Sequence, residues 1–156
     1  MSSHIRLTPA NMLGILTLIT LSACGTDPES PSPDQVSGQY VAGPRNAETL
    51  GVLEITTFND GEETDWLARG AELSMTLESN GTVSGRLFIP GADEDGGDFD
   101  EDLAGTWALT GNVVLFTQTA DTFIRDGDWV WQNDRLVFDE TFSDERVRVV
   151  MERAGS

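Results

Sequence analysis

The chain has 156 residues and a formal net charge of −18, set by 27 Asp and Glu against nine basic residues. Such acidity repels phosphate backbones and anionic headgroups, so nucleic acid and acidic lipid are disfavoured as partners. All nine basic residues are Arg, and the single histidine, His4, and single cysteine, Cys24, lie within the first 24 residues.

Beyond Cys24 there is therefore no imidazole, thiol or amine side chain. That removes Ser-His-Asp and Cys-His catalysis, Schiff-base lysines, and zinc, haem or copper sites built on imidazole or thiolate. A carboxylate pair can still act as general acid and base, as in glycoside hydrolysis, but acids this abundant single out no pair. The expectation is a protein that is not an enzyme and has no resident cofactor.

The chain opens with a short segment bearing Arg6 and an apolar run from Met12 to Leu21, about half the length a membrane-spanning helix needs. Leu21-Ser22-Ala23-Cys24 follows directly and resembles the lipobox of bacterial lipoproteins. The resemblance implies cleavage before Cys24, a diacylglycerol on its sulfur and usually an acyl chain on the new amino group; two or more chains anchor firmly where one does not. Residues 1–23 are then a signal peptide. The mature chain of 133 residues suits one domain with a real core, and its eight Arg against 27 acids give it a charge of −19. Gly25 is not the Asp that commonly marks inner-membrane retention in enteric-type bacteria. The resemblance thus implies the periplasmic side of an outer membrane, or the outer face of the cytoplasmic membrane in a one-membrane cell.

Residues 24–35 carry the anchor and a tether with three prolines among small and acidic residues, semi-extended and able to hold a domain up to about 30 Å from a bilayer. A single domain is expected over residues 36–154. From Val36 the pattern is period two, the mark of half-buried strands. Candidate strands are 37–42, 50–58, 73–77, 83–89, 103–110, 113–116, 128–132, 135–141 and 146–153. Asn80-Gly81 suits a type I′ hairpin turn, with Leu73, Met75 and Leu77 on one arm and Val83, Gly85, Leu87 and Ile89 on the other. Residues 118–127 fit no strand and suit a short helical turn. Eight or nine short, closely connected strands predict an all-β fold, an antiparallel up-and-down barrel that removes its own edges by closing.

Gly38-Gln39-Tyr40 at the start of the barrel and Arg153 at its end resemble the signature of lipocalin-like barrels of the calycin group, where a Gly-x-Trp on the first strand stacks against a late Arg. Here Tyr40 replaces the Trp, and a second Gly-x-Trp, Gly105-Thr106-Trp107, lies mid-chain, followed by Leu109-Thr110-Gly111-Asn112 as in bacterial lipocalin-like lipoproteins. The resemblance implies a barrel whose Tyr40 and Arg153 form a closing pair, and a small apolar or amphipathic ligand in the interior.

Met75, Leu87, Trp107 and Leu109 are the candidate ligand-binding residues, on an inward face that also takes Leu73, Leu77, Ile89 and Leu115. Gly85 and Gly105 either open space within that face or mark bends in a solid interior. The alternative is an envelope protein-interaction or inhibitor-like scaffold with a filled barrel. Residues 93–102 hold seven acids, and Asp93, Asp95, Asp98 and Asp100 are the candidates for weak calcium binding. The spacing fails the EF-hand rule, since Gly97 stands at the fifth ligand position, and a solvated, self-repelling loop is the competing state. Trp66, Trp129 and Trp131 are candidates for gripping a ligand at the mouth or, more commonly, for packing.

Overall fold

The computed structural model describes residues 30–58, 61–92 and 95–155. The signal segment, Cys24 and most of the tether lie outside the described residues. Among them, eleven strands and two single-turn helices occur in the order α1 (Pro33–Val36), β1 (Gly38–Arg45), β2 (Glu48–Leu50), β3 (Val52–Thr57), β4 (Glu63–Asp65), β5 (Glu72–Leu77) and β6 (Thr82–Ile89). Then come β7 (Phe99–Thr110), β8 (Val113–Gln118), α2 (Phe123–Asp126), β9 (Trp129–Gln132), β10 (Arg135–Phe142) and β11 (Glu145–Arg153). Strands β1 and β5 to β11 pair neighbour to neighbour, all antiparallel, and β11 returns to β1, closing an eight-stranded barrel. The fold is all-β, an antiparallel barrel with extra strands.

Alternation builds the wall. Leu73, Met75 and Leu77 of β5 are buried between partly exposed neighbours, as are Val147, Val149 and Met151 of β11. Short turns keep successive strands adjacent. The hairpin at 78–81 forms where Asn80-Gly81 places it, but not as a type I′ turn: Gly81 alone takes a positive φ, +85°. Asn80 instead uses its side-chain oxygen to accept from the Thr82 N–H and hydroxyl. Both central residues are left-handed in the turns at Asn46-Ala47 and Asn133-Asp134, the geometry that matches strand twist.

The extra strands arise at the seam. β1 and β11 pair only at Tyr40↔Arg153 and Val41↔Glu152. Beyond that point they part, β1 continuing against β2 and β11 against β3, which carries β4. Gly51 sits in the fork at φ +77°, where a Cβ would lie 2.2 Å from the Val150 carbonyl oxygen; only glycine fits. The expected strand 50–58 is thus split, with Leu50 belonging to β2.

Among the described residues, the barrel interior is filled. Tyr40, Met75, Val114, Ile124, Trp129, Phe138 and Met151 have 0 % accessible surface, whereas a void large enough for water would itself give its lining accessible area. A Cβ on Gly85 would meet the Ser74 carbonyl oxygen at 2.0 Å, and one on Gly105 the Thr117 carbonyl oxygen at 1.9 Å. Both glycines serve close strand approach rather than open space. On β8 the inward residues are Val114, Phe116 and Gln118, and Leu115 faces out at 41 % exposure. The expected inward placement of Leu115 is corrected: every residue of the Val113–Phe116 run is apolar, so alternation gives no parity there.

Two helical turns close the ends. At the N-terminal end Ser32 and Gln35 form a reciprocal capping box around Pro33, a combination that starts a helix. The last residues assigned to the extended tether are therefore helical, and Val36 is fully buried. β8 and β9 pair at only two positions, Val113↔Val130 and Val114↔Trp129, beside the 111–112 turn, and part toward the other end. The 119–128 segment with α2 packs beside β8 there, sinking Ile124 into the core, and the Trp129 indole N–H donates to the Ile124 carbonyl at 3.1 Å.

Candidate functional site

The closed end is organised around one phenol. Tyr40 on β1 and Arg153 on β11 are ladder partners, and the guanidinium carbon lies 5.4 Å from the phenol ring centroid. The Tyr40 hydroxyl donates to the Val36 carbonyl at 2.7 Å, and accepts from Arg153 Nη2 and from the Trp131 indole N–H, each at 3.0 Å. Arg153 Nη2 also donates to the Gln35 carbonyl, and Nε lies 3.3 Å from Asp134. A Cβ on Gly38, at φ +153°, would rest 3.4 Å from the guanidinium carbon, so the Gly-x-Tyr pattern leaves the cation room. The phenol's one donor and two acceptor positions are all used, and the arrangement ties α1, β1, β9 and β11 together. This is a structural lock with no free group for chemistry.

Beside it lies a cleft of about 580 Å³ outside the barrel, between the β1–β2 hairpin and the end of β11. Arg45, Glu48, Arg135 and Glu152 wall it, and Arg135 is paired with Glu152 at 2.9 Å. It is a polar surface groove, not a lumen.

The mouth differs. Between β6, the start of β7 and the 119–128 segment is a pocket of about 240 Å³, lined by Leu87, Ile89, Ala92, Phe99 and Phe123 with Asp121 and Thr122. Thr122 is at the N-cap of α2, yet its hydroxyl makes no cap bond. Thr122 is 6 % exposed and its Oγ1 is without a partner, as are both amide atoms of Gln118, 7 % exposed on β8. Asp121 and Asp126 are both paired with Arg125.

Of the four candidate ligand residues, Leu87 alone reaches this pocket. Met75 is sealed in the core, the Trp107 indole donates to the Glu78 carbonyl at 2.8 Å near the closed end, and Leu109 packs half-buried against the core. Trp129 is core, Trp131 belongs to the closed-end network, and Trp66 lies beneath the Arg69 guanidinium, 5.2 Å from its centroid.

In the acidic loop, Asp93 lies outside the described residues. Asp98 accepts from the Gly91 N–H at 3.0 Å and Asp100 makes a two-pronged pair with Arg86, both contacts 2.7 Å. That hydrogen bonding and the nearby positive charge hold the Asp100 carboxyl below its ordinary range against a smaller opposing effect of desolvation. No group of three or more potential ligands is arranged for a metal ion among the described residues.

Sequence reading did not single out Trp131, Gln118, Thr122 or Phe123 for these positions. A Thr placed to cap a short helical turn, on a segment that fits no strand, is the one local signal available. A scan against protein-family models finds no match, and searches of curated proteins and of solved structures find no significant similarity to this chain.

Proposed function

We propose that this protein is a lipid-anchored, non-catalytic scaffold of the cell envelope, whose barrel is a rigid support and whose contacts with a protein partner are made at its surface. The observation that carries this reading is the filled interior. A carrier of small apolar ligands needs an enclosed site of about 300 Å³ or more, and the side chains that would line one, Met75 and Trp107 among them, belong to one buried core cluster. The resemblance of residues 21–24 to a lipobox supports the anchor, and the tether then leaves from the α1 end, directing the mouth away from the membrane.

Two measurements test this. Cys24→Ser should move the protein from the membrane fraction to the soluble fraction; continued sedimentation with membranes removes the anchor. With the mouth pocket filled by Ala92→Trp, the folded protein should give no saturable fluorescence with a naphthylamine probe of apolar cavities, and one-to-one binding of that probe to this variant overturns the filled-scaffold reading.

A further inference from the structure

We propose that the mouth pocket is the seat for one large apolar side chain of a basic protein segment, whose backbone hydrogen-bonds to the Thr122 hydroxyl. This rests on the scaffold reading and names the partner chemistry. The pocket's five apolar walls and its volume of about 240 Å³ fall short of a drug-sized ligand site but suit a single buried side chain, the usual anchor of a protein interface.

Thr122 supplies the second, independent observation. Thr at an N-cap ordinarily accepts from a backbone N–H of the first turn. Here the Arg125 N–H goes to the Thr122 carbonyl at 3.2 Å, while the hydroxyl is buried and unpartnered; Thr122 lines the pocket, so a turn of its side chain would present that hydroxyl to a group seated there. A buried hydroxyl without a partner is unfavourable, so it matches a site completed by an incoming donor or acceptor. A backbone amide beside an inserted side chain is such a group.

Charge selects the sign of the partner. Loop 90–98 and the 119–128 segment together carry five described carboxylates, Asp95, Asp98, Asp121, Asp126 and Asp128, against the single guanidinium of Arg125, on a chain of net −18. Lys or Arg flanking the inserted residue would be drawn to this rim, and acidic flanks repelled.

The test uses the full chain carrying Cys24→Ser and a fluorescently labelled eight-residue peptide with a central Phe between lysines, read by anisotropy at low salt. Saturable binding is expected, at least tenfold tighter than for the same peptide with glutamates. Ala92 is exposed at the rim, so Ala92→Trp fills the pocket without replacing a core residue and should weaken binding at least tenfold. Thr122→Val should weaken it three- to tenfold while raising the melting temperature, because the hydroxyl it removes has no partner in the fold. Equal affinity for the acidic peptide, or a lowered melting temperature in Thr122→Val, overturns the proposal. Undiminished binding to Ala92→Trp overturns the pocket and leaves the scaffold reading standing. Binding of the naphthylamine probe to Ala92→Trp, with no binding of the peptide to the parent chain, overturns both.

Discussion

The two ends of the barrel handle their buried polar groups in opposite ways. At the closed end the Tyr40 hydroxyl makes three hydrogen bonds, and Arg153 lies over its ring, donates to the Gln35 carbonyl and forms an ion pair with Asp134. At the mouth Gln118 and Thr122 are buried too, yet three of their polar atoms are without partners. Buried polar networks stabilise when complete and cost when they are not. The closed end is therefore built for stability, and the mouth is where stability has been given up, the pattern expected where a surface is shaped for something else.

Tyr40→Phe strikes the complete end hardest. It leaves the Val36 carbonyl without its donor and removes the acceptor shared by Trp131 and Arg153. A loss of roughly 2–4 kcal/mol is expected, a fall in melting temperature of roughly 10 °C for a domain of this size. Thermal unfolding followed by circular dichroism reads it, and a fall of under 2 °C would show that the hydroxyl is not the hub. Arg153→Ala should cost less, roughly 1–3 kcal/mol, since it removes the cation over the ring and leaves the phenol bonded to Val36 and Trp131. An unchanged melting temperature there would break the comparison, because neither end would then depend on its polar groups.

Gln118→Met acts at the other end with the opposite sign. It replaces two unpaired amide atoms by apolar ones of similar shape and should raise stability by roughly 1 kcal/mol in denaturant titration; a destabilised variant would show that the amide is satisfied in solution. The smallest effect is expected from acid. Asp100 and Asp139 are hydrogen-bonded by Arg86 and Arg146, which holds both carboxyls below the ordinary aspartate value of 3.8. A lowered folded-state value contributes stability above the ordinary value that is lost as pH falls through the folded one. Asp100→Asn/Asp139→Asn should be slightly less stable than the parent at pH 7 and equal to it once both carboxyls are protonated. A difference that persists at low pH would assign the effect to packing rather than charge.

Strand alternation made most of the wall readable before folding is considered, because a half-buried strand writes its two faces into alternate residues. It failed where that physics is absent. β2 and β4 are three-residue strands with mostly exposed side chains, so no buried face marks them, and the all-apolar Val113–Phe116 run cannot say which side chains point inward. The glycine pattern at 38–40 and the parity of Arg153 indicated a pairing of the first and last strands, but Trp131, 91 residues from Tyr40, entered the network through tertiary packing alone. Nothing local reveals that Gln118 and Thr122 end up unpartnered, since that depends on what the rest of the fold does not place beside them.

The narrow seam between β1 and β11 bears on how the barrel is made. The meander from β5 to β8 is built from neighbouring hairpins that can form early, whereas the last closure must bring together residues 113 positions apart, and closing so long a loop is slow relative to hairpin formation. Until it happens, the edges of the first and last strands present unpaired amides, a template for joining another chain. With two ladder pairs to hold it, as at the β8–β9 junction, the seam is one of the two places where the wall reopens most readily. Amide hydrogens of Val41 and Glu152 should therefore exchange ahead of those in the long β6–β7 ladder, and the time this protein spends unzipped there sets its exposure to misassembly.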